Sequence, residues 1–193
     1  MPPVKPCLLE RTVQARVWGG HGLRDLFGIG SDDGSPIGET WELFDRPGSS
    51  SRIRGGGTLA ELMRKDARAV LGARVQPGHG GHFPLLFKFL DAQTSLSVQV
   101  HPDDTQAAAE HDGGKSEAWL VLRSSPGARV VRGFKPGVTR EQFVGAAGKA
   151  AIEPLLFSFH PAVGDLIHVP ANTVHAVGGG AVIFEVQQNS DIT

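Results

Sequence analysis

The 193-residue chain has one cysteine, no long apolar run and almost no net charge, and each shortage narrows what it can be. Cys7 has no partner within the chain, so no internal disulfide can form, which points to a reducing compartment. No apolar stretch approaches the ~20 residues that span a bilayer, and Met1–Glu10 lacks the apolar core of a signal peptide. The expectation is a cytoplasmic protein with no membrane partner. A net charge of −1, with both signs interspersed, gives no electrostatic footprint for nucleic acid. No repeat of fixed period and no linker divides the chain.

What is present reads as a globular β-rich unit. Hydrophobic residues make up 40% and charged residues 20% of the chain. The 26 glycines and 13 prolines are scattered between short apolar runs, the punctuation of many short strands joined by turns. Residues Met1–Gly57 are rich in Gly and Ser, with one plausible strand at Thr40–Phe44. A helix follows: Thr58 can cap it, Glu61 completes a capping box, and Gly72 stops it. Leu59, Leu62, Met63 and Val70 form its apolar face. Strands are expected at Leu85–Leu90, Leu96–Val100, Ala118–Leu122, Ala128–Val131, Leu155–Phe159, Asp165–Val169 and Ala181–Val186. Short helical insertions are expected at Asp104–His111 and Thr139–Ala147. Phe87, Phe89, Phe157 and Phe159 alternate along strands and read as core or barrel wall.

Three stretches can carry chemistry. In Ser97-Val98-Gln99-Val100-His101, alternation by two sends Ser97, Gln99 and His101 to one face and the valines to the other. The competing reading is a polar edge facing solvent. In Gly114-Lys115-Ser116-Glu117-Ala118-Trp119, Lys115 and Glu117 share a face just ahead of an apolar run. Taken alone, that is a solvated turn with an ion pair, and its spacing is wrong for a phosphate loop. In Gly164–His175, Pro170 stops a strand and Asn172 stands where the chain reverses, since Asn tolerates a left-handed backbone. His175 opens the next strand, while His168 reads as structural or peripheral.

The order Gln-x-His, Glu, then Gly-x5-Pro-x-Asn-x2-His resembles the two metal-binding motifs of the cupin barrel. More specifically, the chain resembles the type I mannose-6-phosphate isomerase family. The carrying stretches are Leu96–Asp103, Gly114–Trp119, Gly164–Ala176 and Glu185–Thr193, with weaker agreement at Val17–Gly20, Gly38–Glu42 and Lys88–Ala92. The resemblance implies a cupin (jelly-roll) barrel with a few short helices, as one isomerase domain over 1–193. A helical insertion would fall near 58–72 and the metal-binding barrel near 84–193. It implies one Zn2+ per chain, held by Gln99, His101, Glu117 and His175. It places Ser97, Lys115 and Glu185 in the substrate pocket. Lys115 has the chemistry to hold a phosphate or stabilise an enediolate, and Glu185 is a candidate general base or proton shuttle.

The implied reaction interconverts mannose 6-phosphate and fructose 6-phosphate through an enediol, in a monomer or homodimer. In the family the motif of Asn189-Ser190-Asp191 continues with a substrate-contacting arginine, expected here just beyond Thr193, and a further β-rich region follows. Absence of that arginine keeps a non-catalytic metal- and sugar-binding cupin in view. Another sugar isomerase with the same site is also consistent, whereas an iron dioxygenase is disfavoured by Gln99. Arg16, Arg52, Arg54 and Arg132 are all able to anchor a phosphate, and sequence does not choose among them. His79, His82 and His111 read as solvent-facing, and His21 and Trp18 as packing near the barrel.

Overall fold

The computed structural model describes residues 5–31 and 33–193. The first four residues of the stretch judged unlike a signal peptide therefore lie outside the described residues. The architecture is mainly β, as expected. A six-stranded antiparallel sheet is built from β1 (Thr12–Gln14), β2 (Glu39–Leu43), β5 (Leu85–Ala92), β6 (Glu117–Ser124), β9 (Leu166–Val169) and β11 (Ala181–Gln188). Its order is β1-β2-β5-β11-β6-β9, so the last strand lies in the middle. A three-stranded sheet contains β7 (Val130–Phe134), β8 (Leu156–Phe159) and β10 (His175–Val177), in the order β10-β7-β8. A small hairpin joins β3 (Asp45–Arg46) to β4 (Ser49–Ser50).

Alternation along β11 sorts the packing. Ala181 and Ile183 point between the sheets, into a core with Leu90, Trp119, Val121, Val130, Ile167, Val169 and Val177. Val182 points the other way, into a second cluster with Leu23, Ile29 and Ile37. That outer cluster lies under α1 (Gly22–Phe27), a helix the sequence reading did not anticipate. Phe87 and Phe89 belong to this outer side, where Phe27, Phe89, Phe184 and Phe87 form a chain of rings 5.0–6.1 Å apart. Phe159 packs on the inner core, but Phe157 is 46% exposed and is no part of it.

The helix expected after Gly57 is α2 (Leu59–Leu71), with the full Thr58–Glu61 capping box and Gly72 at its end. Asp66 departs from helical geometry within it, and its Oδ1 accepts from Ala69 N–H at 2.9 Å. The two insertions are α3 (Asp104–Ala107), extended by a 3-10 turn to Glu110, and α4 (Arg140–Ala146), each with its own capping box.

One expected strand differs. Residues 96–100 run extended beside β10, but they pair as a ladder only at Gln99, whose N–H and C=O exchange 2.9 Å bonds with His175. Leu96 adds one bond to Val177 and His101 accepts one from Asn172. The valines of this segment are not core: Val98 is 39% and Val100 47% exposed. The segment is an edge, and no layer covers its outer side among the described residues.

Candidate metal centre and active site

Glu117 begins β6 and points inward from the six-stranded sheet, while His175 begins β10 on the facing sheet. Asn172 does take the left-handed conformation (φ 66°), turning the chain from β9 into β10. His101 sits just past the bridge at Gln99, and its carbonyl accepts from Asn172 N–H at 2.7 Å. Three separate elements thus deliver His101, Glu117 and His175 to one point, with their ligand atoms within 4.8 Å of one another.

The arrangement has the marks of ligands around an ion. His101 is buried, and neither ring nitrogen has a hydrogen-bond partner. Its Nε2 lies 3.2 Å from Glu117 Oε1, without the alignment of a hydrogen bond. His175 Nδ1 meets the Thr173 carbonyl at 2.8 Å, which leaves Nε2 to face Glu117 Oε2 at 3.7 Å. Trp119 Nε1 donates to that same Oε2 at 3.0 Å, orienting the carboxylate. Two buried nitrogens with no partner would cost several kcal/mol in total unless something else satisfied them, on the order of 1–3 kcal/mol each. A divalent cation among these ligand atoms would satisfy one of them, Nε2, the nitrogen that faces Glu117. Burial holds His175 below its usual pKa and so in the neutral form that metals need. Burial works against ionised Glu117, but His101, Lys115 and His175 outweigh it and hold the carboxyl down at about 2.

The remaining expected residues lie around this point. Gln99 and Ser97 line the same cavity, and Gln99 Nε2 donates to Ser97 Oγ at 2.8 Å, leaving the amide oxygen as its available ligand atom. Lys115 is buried, with Nζ 3.6 Å from Glu117 Oε1, which contradicts a solvated turn. Glu185, on the inner face of β11, is 2% exposed, and its Oε1 has no partner. Burial, with the charge of Glu117 beside it, holds its pKa well above the usual carboxylate range, against the pull of Lys88 and Lys115. His168 is exposed and peripheral, and its carbonyl accepts from Arg132 Nε at 2.6 Å. His82 is a correction: it is half-buried, with Nδ1 3.2 Å from the buried carboxylate of Asp45.

Several residues escaped the sequence reading. Lys88 lies opposite Glu185 in register, with Nζ 3.6 Å from its Oε2. Burial disfavours its charge, but Glu185, Glu39 and Glu117 outweigh that and raise its pKa. Glu39, Trp41 and Gln187 also line the cavity, as does Arg16, one of the four arginines the sequence offered for a phosphate. The available signals were Lys88 as a lone cation inside the apolar run Leu85–Leu90, and the places of Lys88, Glu39 and Trp41 within the weaker family-like stretches. The cavity holds about 410 Å³, and all three tryptophans of the chain, Trp18, Trp41 and Trp119, line it. That volume suits a small polar ligand, and the indoles offer flat apolar faces beside its charged groups.

Donors reaching one polar cavity from separate strands of two facing sheets are how cupins hold a metal, and that is the class this fold and centre define. The family model described as "Phosphomannose isomerase type I, catalytic domain" matches residues 7–118. The chain belongs to that family. It is 34% identical to the mannose-6-phosphate isomerase of Streptococcus mutans, over 98% of this chain and 59% of that protein. It is also 34% identical to mannose-6-phosphate isomerase ManA of Bacillus subtilis, again over 98% of this chain and 59% of the relative. The crystal structure of a Bacillus subtilis mannose 6-phosphate isomerase superposes with a TM-score of 0.85 at 33% identity, covering 97% of this chain and 59% of that one. The chain therefore spans about three-fifths of the length of these relatives.

Proposed function

We propose that the chain acts as one cupin-type isomerase domain that interconverts mannose 6-phosphate and fructose 6-phosphate at a single zinc ion. The observation that carries this reading is the buried, unpartnered His101 facing Glu117 and His175, in a cavity that also holds Lys115, Lys88 and Glu185. His101, Glu117 and His175, with the amide oxygen of Gln99, would hold the ion. Two imidazoles, one carboxylate and one amide favour zinc among common divalent ions. Zinc, when bound, supplies a Lewis acid for the sugar oxygens.

The protein's own groups account for the proton transfer. A carboxyl whose pKa is raised by burial suits a group that must both accept and return a proton, and Glu185 is that group between C2 and C1. Lys88 steadies Glu185 as it ionises. Lys115, already beside Glu117, offsets the negative charge that grows on the sugar oxygens in the enediolate. Ser97 fixes the amide of Gln99, and the tryptophans exclude water from the reacting end.

A coupled assay of the purified protein with mannose 6-phosphate, before and after chelation and again after zinc is restored, tests the reading. Fructose 6-phosphate formed only with zinc is the expected result. A protein that binds one zinc per chain and turns over no sugar phosphate would overturn the claim that this chain is itself an isomerase.

A further inference from the structure

The cations at the reacting end are committed to carboxylates there. Lys115 pairs with Glu117 and Lys88 with Glu185, each at 3.6 Å, and both lysines are largely buried. A phosphate dianion drawn to either would compete with those pairs and crowd the metal centre. Arg16 is different. Among the described residues it is the arginine that lines the cavity, and its side chain is 39% exposed at the rim.

The guanidinium is aimed by its surroundings. Its Nε–H donates to Glu39 Oε1 at 3.0 Å, and the other oxygen of that carboxylate accepts from Trp41 Nε1 at 2.8 Å. Glu39 is largely buried and pinned from both sides, so it fixes the plane of the guanidinium. Nη1 and Nη2 have no acceptor among the described residues, which leaves two parallel donors, the fork that fits a phosphate. Gly38 makes room for this placement: a Cβ there would collide with Cβ and Cγ of Arg16 and approach Trp18 Cζ3 within 2.9 Å.

The sheet sets the separation. Glu117 lies on β6 and Glu39 on β2, with β11 and β5 between them. Three inter-strand steps make about 14 Å of backbone separation. A glutamate side chain reaches in from one end and an arginine from the other, leaving a gap between metal centre and guanidinium that suits an extended sugar phosphate. We infer that Arg16, oriented by Glu39, is the anchor for the phosphate of the substrate, with C1 and C2 held at the metal end. This rests on the isomerase reading above, and it assigns Lys115 to the enediolate rather than to the phosphate.

The test compares zinc-loaded wild type with Arg16→Ala, Arg16→Lys and the charge-neutral pair Arg16→Met/Glu39→Gln, the last guarding against misfolding from an unpaired Glu39. Removing charged hydrogen bonds to phosphate is expected to raise KM for mannose 6-phosphate roughly ten- to a hundredfold, with the smaller part of the loss in kcat. Inhibition by inorganic phosphate should weaken by a similar factor, and Arg16→Lys should fall between. The preference for mannose 6-phosphate over mannose should shrink in step. Unchanged KM and phosphate inhibition in folded Arg16 variants, with an active wild type, would overturn the inference and point to Lys88 or Lys115. If the wild type shows no zinc-dependent turnover, the isomerase reading fails, and calorimetry with inorganic phosphate still decides the anchor. Binding lost in the Arg16 variants supports it, and equal binding overturns it.

Discussion

Arg46 and Asp112 meet end to end, Nη1 to Oδ1 at 3.2 Å and Nη2 to Oδ2 at 3.0 Å, and this pair ties the β3–β4 hairpin to two segments that border the cavity. Arg46 comes from the β3–β4 hairpin and also donates to the Asn189 carbonyl at 2.8 Å. Asp112 accepts from the N–H groups of Gly113 and Asp191, the first leading to Lys115 and the second lining the cavity. Burial disfavours the ionised carboxyl, but Arg46 and the two N–H groups outweigh it and hold its pKa at about 2, below the usual 3.8.

A carboxyl depressed in the folded state stabilises the protein above its ordinary pKa, and that contribution fades as pH falls through the folded value. Asp112 should therefore support stability above pH 3.8 and lose its share toward about 2. Asp112→Asn should cost on the order of 1–3 kcal/mol at neutral pH and flatten this part of the acid limb. Thermal melts of metal-free wild type and variant across pH, free of acid release of metal, check this. Parallel acid limbs would rule it out.

Trp119 gives a second prediction, because its indole N–H holds Glu117 Oε2 at 3.0 Å from a buried position. Trp119→Phe keeps most of the packing and removes the donor. Such an orienting bond is commonly worth about 10- to 100-fold in metal affinity. Zinc titration against a competing chelator should show a loss in that range, and Glu117→Gln a larger one. Chelation should lower the melting temperature of the wild type, since a ligand bound only by the folded state stabilises it. A melting temperature indifferent to zinc would count against a site at these residues.

The candidate donors were legible as the ordered motifs that resemble those of the cupins, and within them local alternation and turn chemistry set which residues could converge. Ser97, Gln99 and His101 share a face by a period of two, and Asn172 takes the backbone its side chain tolerates. The helix over Leu59–Leu71 was legible for the same reason, its capping box being written in adjacent residues. The rest depends on register between distant strands. Lys88 meets Glu185 only because β5 and β11 pair with those residues opposite each other, and Arg16 reaches the cavity only because β1 and β2 extend the same sheet. The exposed valines at 98 and 100 follow similarly. A period of two says which residues share a face, not whether another layer covers it.

The Lys88–Glu185 pair makes a third prediction. Lys88→Met leaves a deeply buried carboxyl without its cation, near Glu117. Breaking a buried pair from one side costs on the order of 3 kcal/mol, reduced here because Glu185 can take up a proton. Adding Glu185→Gln should restore part of the loss. Urea unfolding of the two single variants and the double variant, combined as a cycle, should give a favourable coupling for the native pair. Strict additivity would mean the side chains do not interact across the 3.6 Å that separates them.

Gly114 supports Lys115 through space that only a glycine leaves. A Cβ at this position would lie 2.5 Å from Asp104 N and 2.6 Å from Asp103 C, both backbone atoms at the start of α3. Its own N–H donates to Asp104 Oδ1 at 2.8 Å, and the next N–H, of Lys115, donates to the Pro102 carbonyl at 3.0 Å. A methyl group cannot be absorbed by a side-chain rotation, so the 112–116 loop or α3 must shift. Gly114→Ala should therefore destabilise by about 1–3 kcal/mol. It should also move the Lys115 ammonium relative to Glu117, lowering turnover more than zinc affinity. Denaturant unfolding, zinc titration and the isomerase assay on one preparation separate these effects. A variant of unchanged stability and turnover would show that the loop is looser than its backbone contacts imply.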